Sequence, residues 1–261
     1  MTKRVLGLIS ALLLMLLPGL AFADAAGTAK GVDPQADALR GTTTQTLVVG
    51  SDIFLGDKIQ TGPKGLVQIL FADSTKMVVG PDSSLTIEDY LLRNDGSAGK
   101  FVVDMLSGSF RFATGNAPKN KYQINTPTGT IGIRGTAYDV FVEPDGTTWI
   151  MLYHGALRFC SNSGQCEEIT DVCAIGQYDA TQAQNVGTGP QTTGEQRASL
   201  QERFRYAMDQ SPLLREFWEK NSFDCLHKAP DVPPPEEHHP TPPKVPDGPP
   251  ECEGICTDNR P

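Results

Sequence analysis

Short runs in which apolar and polar residues alternate fill the chain from 43 to 178, and nearly every run is closed by glycine, proline, asparagine or aspartate. A period of two sends successive side chains to opposite faces of extended chain, so each run predicts a strand. The clearest fall at 46–49, 53–55, 66–71, 76–79, 85–92, 101–106, 109–112, 138–142 and 148–152. Asp73-Ser74 and Pro144-Asp145-Gly146 separate two pairs of these runs and predict antiparallel hairpins. No helical stretch intervenes and no strict repeat marks a regular solenoid. The prediction for 43–178 is therefore an all-β domain, either a β-helix-like roll or an irregular sandwich of short strands. Pattern alone leaves those two open.

The period changes after Gln177. Residues 179–194 are rich in Gln, Thr and Gly and read as a linker. Over 195–228 the spacing of Leu200, Phe204, Ala207 and Met208 is helical. Ser211-Pro212 offers an N-cap with proline at the first helical position, and Leu213, Leu214, Phe217 and Trp218 would give a second helix its apolar face. Both helices are expected to pack on the β domain, because exposed apolar stripes are rare. The small, polar stretch 24–42 reads as a flexible lead-in. Residues 229–261, with Pro233-Pro234-Pro235, Pro242-Pro243 and Pro249-Pro250 among acids, have the composition of a Pro-rich disordered tail.

Residues 1–23 read as a secretory signal peptide. Lys3 and Arg4 precede an apolar run over 5–17, then Pro18-Gly19 and the small-x-small site Ala21-Phe22-Ala23. That run is short for a membrane span, so no stable membrane anchor is expected and the mature chain is placed in the periplasm or outside the cell. In such an oxidising space the six cysteines favour disulfides. Cys160 and Cys166 flank a turn-rich loop and would bridge a hairpin; Cys173 and Cys225 would staple the helical segment to the β domain, leaving Cys252 with Cys256. Six cysteines permit fifteen pairings, of which this is one. The formal net charge of -9, with no basic stripe, excludes nucleic acid as a partner.

The densest segment is 124–142, INTPTGTIGIRGTAYDVFV. Ile131, Ile133, Tyr138, Val140 and Val142 can share one side of extended chain, and Gly129, Gly132 and Gly135 interrupt it where a strand bends or another backbone approaches. Arg134 sits between two glycines in an apolar run. Its guanidinium is expected to be buried and structural, bonded to carbonyls freed by the bends or paired with Asp139 or Asp104, because a buried charge must be paired. The competing reading is a binding residue that grips a carboxylate or phosphate. Thr126, Pro127, Gly135 and Thr136 read as corner-makers, with Thr126 and Thr136 kept beside Arg134 as candidate binding residues.

This segment, preceded by Val49-Gly50, Leu55-Gly56-Asp57, Thr61-Gly62, Leu70-Phe71-Ala72-Asp73 and Gly108-Ser109-Phe110-Arg111 and followed by His154-Gly155-Ala156-Leu157, resembles the FecR family of bacterial extracytoplasmic domains over roughly 43–160. Family members usually carry glycine after the aspartate of the first hairpin; Ser74 stands there here. The resemblance implies a non-catalytic domain. In its best-known members that domain lies outside the inner membrane of a diderm bacterium. A transmembrane helix joins it to a cytoplasmic segment controlling a sigma factor, and it receives a signal from an outer-membrane receptor. A signal peptide in place of that arrangement predicts a domain exported alone. Its expected role is a periplasmic protein-interaction or signal-sensing module, partnered by an envelope protein such as an outer-membrane receptor or a secretion component.

No catalytic constellation stands out: there is no Gly-x-Ser-x-Gly elbow, His-Glu-x-x-His pair or phosphate-cradling loop, and no cofactor is expected. Glu236-Glu237-His238-His239 with Cys252 and Cys256 lacks the fixed spacing of a metal site. His154, at a strand end, reads as a surface or hydrogen-bonded histidine. Two rival classes remain, a carbohydrate or cell-wall binding module, which would need aromatic platforms from Trp149 or Trp218, and a hydrolase with an unfamiliar site.

Overall fold

The computed structural model describes residues 25–92, 98–116, 118–192 and 194–227. The expected signal peptide, Pro-rich tail and Cys252–Cys256 pairing, and the Glu236–His239 cluster, lie outside the described residues. In chain order the strands begin with β1 (Gly27–Asp33), β2 (Ala36–Arg40), β3 (Thr43–Thr46), β4 (Asp52–Ile53), β5 (Lys58–Thr61) and β6 (Leu66–Phe71). They continue with β7 (Lys76–Val79), β8 (Ser84–Leu92), β9 (Ala98–Ala113), β10 (Tyr122–Thr126), β11 (Gly129–Ile133) and β12 (Ala137–Val142). The last are β13 (Thr148–His154), β14 (Leu157–Ser161), β15 (Cys166–Ile169), β16 (Ala174–Tyr178) and β17 (Ala183–Thr188).

These strands form two sheets. Sheet A runs β4-β1-β6-β7-β9-β12-β13-β16-β17. Sheet B runs β3-β2-β5-β8-β9-β10-β11-β14-β15. Neighbours are antiparallel except β9 and β10. The chain passes back and forth between the sheets, with β2–β3, β8–β9, β10–β11 and β14–β15 paired in sheet B and β6–β7, β12–β13 and β16–β17 in sheet A, so the fold combines the two expected architectures: a sandwich wound as a roll. One apolar core lies between the sheets and gathers Ile131, Ile133, Tyr138, Val140 and Val142 from the glycine-rich segment.

A single strand belongs to both sheets. The runs 101–106 and 109–112, read as two strands, are one 16-residue strand, β9. Its first part pairs with β8 and β10 in sheet B, and 108–113 pair with β7 and β12 in sheet A. The crossing point is Gly108, at φ +100, where a Cβ would lie 2.6 Å from the Ser83 backbone. A residue with a side chain fits neither the dihedral nor the space.

The stretch expected as a flexible lead-in forms β1 and β2 instead. Ala26, Ala29, Ala36 and Ala38 are buried in the core, and a Cβ on Gly27 would meet the Leu70 carbonyl at 2.9 Å. The small residues that resembled mobile chain are there because neighbouring backbone leaves no room for larger ones. The expected linker likewise contains β17, paired with β16. The predicted strand at 46–49 ends earlier, with Val48 and Val49 exposed. Both expected hairpins form. In the first, Ser74 adopts φ 68, the left-handed region in which glycine is unstrained.

After β17 come α1 (Gly194–Arg203), α2 (Arg205–Met208), a 3-10 turn at Arg215–Phe217 and α3 (Ser222–Leu226). Leu200, Phe204 and Ala207 pack with Met151, Tyr153 and Ile175 on the outer face of sheet A, as the helical spacing predicted. Tyr206, Leu213 and Phe217 cover Leu66 and Val78. The helix expected from Ser211-Pro212 does not form. Its polar backbone groups bond to sheet A: the Leu214 N–H donates to Gln68 Oε1 at 2.7 Å, and Lys76 Nζ donates to the Glu216 carbonyl at 2.6 Å. The disulfides Cys160–Cys166 and Cys173–Cys225 are both present.

Candidate functional site

The central strands of sheet A are buried on both faces; Leu66–Phe71 and Ala137–Val142 carry only one partly exposed position each. Sheet B is covered on one face only. In β11 burial alternates strictly, with Gly129, Ile131 and Ile133 inside and Thr130 and Gly132 exposed. The outer face of sheet B is where side chains meet solvent in register, and there the candidate site lies.

Across β9, β10, β11, β14 and β15 one row reads Val102, Gln123, Gly132, Arg158 and Glu168. The next reads Asp104, Asn125, Thr130, Cys160 and Cys166, with Asn125 donating to Asp104 at 2.7 Å. Gly132 leaves a gap in the first row. Two depressions of about 490 and 360 Å³ meet there, sharing Asn120, Tyr122 and Gly132. Lys100, Lys121 and Gln123 line one side, and Arg134, Arg158 and Glu168 the other. Another hollow of about 500 Å³, between turns at Pro34, Gln35, Gly62 and Pro63, carries one acid, Asp37, and one base, Lys64.

Arg134 is where the structure departs furthest from expectation. Its side chain is 71% exposed, and among the described residues its ion pair is with Glu168, at 3.4 Å. Neither expected partner pairs with it: Asp104 accepts from Asn125, and Asp139 is paired with Arg111. Gly135, at φ 67, turns the chain from sheet B toward sheet A. Arg134 comes before that bend, so its parity with Gly132 points it outward instead of into the core. The burial expected of it is not observed. Thr126 and Thr136 are corner residues in the structure. The Thr126 hydroxyl lies 2.9 Å from that of Tyr178, and the buried Thr136 exchanges hydrogen bonds with Thr114 through its backbone. Neither lines the groove.

The buried ion pair expected of Arg134 belongs to Arg111. Its Nε and Nη2 donate to the two carboxylate oxygens of Asp139 at 2.7 and 3.0 Å, and the Tyr153 hydroxyl donates to Asp139 at 2.6 Å. Gln210 accepts another Arg111 hydrogen bond from the covering segment, and the Tyr153 and Tyr206 rings flank the guanidinium. Burial, the largest single influence, opposes the Arg111 charge, but Asp139 and Tyr153 together outweigh it and leave the pKa above the ordinary value. Burial also pushes up the neighbouring Tyr153 and Glu219. Arg111 and Asp139 were visible as charges inside apolar strands. Only the β9–β12 register, which sets them opposite each other, identifies them as partners. With Arg111, Asp139, Tyr153 and Gln210 hydrogen-bonded to one another under the covering segment, this cluster serves structure.

His154 is exposed and lies 3.9 Å from Glu219. Trp149 is occupied: its Nε1 donates to Glu143 and Arg203 lies over its ring. Among the described residues no group of three or more His, Cys, Asp or Glu could hold a metal ion. No helix among them is long and apolar enough to cross a membrane.

Residues 57–158 match the family described as FecR protein. No curated protein matches the chain. Two crystal structures of a candidate anti-sigma factor from Parabacteroides distasonis are similar at 10% and 9% identity, with TM-scores of 0.41 and 0.42. They cover 50% and 56% of this chain, which spans 59% and 64% of theirs. A cell surface anchoring domain is 32% identical over 24% of this chain and 83% of its own, with a TM-score of 0.23.

Proposed function

From a chain that carries a FecR segment at 57–158, we propose a non-catalytic, extracytoplasmic protein-interaction or signal-sensing module. The observation that carries this reading is the asymmetry of the two sheets. One outer face is covered by the protein's own C-terminal segment, while the other presents an ordered polar surface with a cation-lined groove. Two disulfides support an oxidising compartment, consistent with the signal peptide read from residues 1–23. An envelope protein, such as an outer-membrane receptor or a secretion component, is the expected partner. Affinity capture from crosslinked cell envelopes tests this. Recovery of one protein partner in stoichiometric amount is the predicted result, whereas recovery of protease-resistant glycan alone would transfer the chain to the cell-wall binding class.

A further inference from the structure

We propose that the groove over Gly132 binds an extended, carboxylate-bearing segment of a protein partner, gripped by Arg134 and Arg158. This rests on the interaction reading and names the chemistry of its site. In a chain of net charge -9, Lys100, Lys121, Arg134 and Arg158 converge on one groove, a local reversal of sign that attracts acidic ligands. Their existing partners are incomplete. Lys100 pairs with Asp89 at 2.7 Å, Arg134 has only the 3.4 Å contact to Glu168, and the Arg158 side chain has no partner among the described residues. A planar guanidinium recognises a carboxylate through two parallel hydrogen bonds, and two such groups on one groove wall suit acidic residues spaced along a chain.

The floor fits an extended chain. From β9 to β15 the groove crosses four strand spacings, roughly 19 Å, enough for about six extended residues. Gly132 keeps its centre free of side chains, while the Asn120 and Gln123 amides and the Thr130 hydroxyl offer donors and acceptors to a peptide backbone. Tyr122 is buried, so none of the described lining residues offers the aromatic platform that a sugar ring would require.

Gly132 here has an ordinary φ, and a Cβ added to it would meet only the Arg158 carbonyl, at 3.6 Å. Gly132→Leu should therefore fold and fill the floor. The test is fluorescence anisotropy at low salt on the full chain, with a labelled eight-residue peptide alternating Glu and Thr and a Gln-Thr counterpart. Saturable binding of the Glu peptide is expected, at least tenfold tighter than the Gln peptide. Arg134→Gln with Arg158→Gln, and separately Gly132→Leu, should each weaken it at least tenfold without changing thermal melting. Absence of binding, equal binding of the two peptides, or binding that survives both variants would overturn the proposal. Tighter binding of an oligogalacturonate would also overturn it, by assigning the groove to an acidic glycan. A partner docking elsewhere on sheet B would still be recovered from envelopes, so failure of the groove and failure of the interaction reading are distinguishable.

Discussion

The two outer faces of this sandwich carry the same kind of residue, arginine, and treat it in opposite ways. On sheet A, Arg111 is buried with Asp139 and sealed by Tyr206 and Gln210. On sheet B, Arg134 and Arg158 stand in solvent at the edge of a groove. A charge sealed under protein must find its whole complement inside the chain, since leaving it unpaired costs several kcal/mol. A charge on an open face has no such obligation, and what it lacks can come from a partner. The extent of pairing around each arginine thus separates the face the chain uses to hold itself together from the face it offers.

Breaking the sealed side should have the largest effect. Arg111→Ala leaves Asp139 buried without its cation and should lower unfolding free energy by about 3–5 kcal/mol in urea titration, while Arg111→Met with Asp139→Leu should recover much of the loss. Next is the Cys173–Cys225 disulfide, which ties the covering segment to sheet A across a sequence separation of 52. Replacing both cysteines by serine should destabilise by about 4 kcal/mol on loop-closure entropy, against about 2 kcal/mol for Cys160–Cys166, whose separation is 6. Limited proteolysis would then find the first cuts within 194–227. The smallest effect is expected on the open side. Arg134→Ala removes an ion pair whose partners are 71% and 48% exposed, and unfolding should shift by no more than about 0.5 kcal/mol. A loss comparable to that of Arg111→Ala would erase the distinction between the faces.

Much of the fold was legible because alternation and turn residues are local. The hairpins around Ser74 and Gly146 and the buried positions of 131–142 could be read from the chain itself, and the two disulfides within the described residues are among the pairings it permits. The errors arose where the deciding partner is remote in sequence. Ala29 and Ala38 resembled mobile chain because the strands that bury them, β6 and β5, come later. The Ser211-Pro212 segment had good capping chemistry, yet Gln68 and Lys76 of sheet A claimed its backbone. Arg134 was read as buried because apolar neighbours surround it in sequence. The bend at Gly135 decides its facing, and no count of neighbours reveals that. The site was legible only as a suspicion about one arginine; Arg158 and the gap at Gly132 join it through strand register, and Lys121 through the 3-10 turn before β10.

The most direct test of the central claim is site-resolved crosslinking to the envelope partner. A photoreactive residue would be placed at Gln123 on the open face of sheet B or at Glu202 on the exposed side of the segment covering sheet A. The account predicts a discrete protein adduct from position 123 and none from position 202. Adducts from 202 alone would contradict it, by showing that the partner is met through the covering segment.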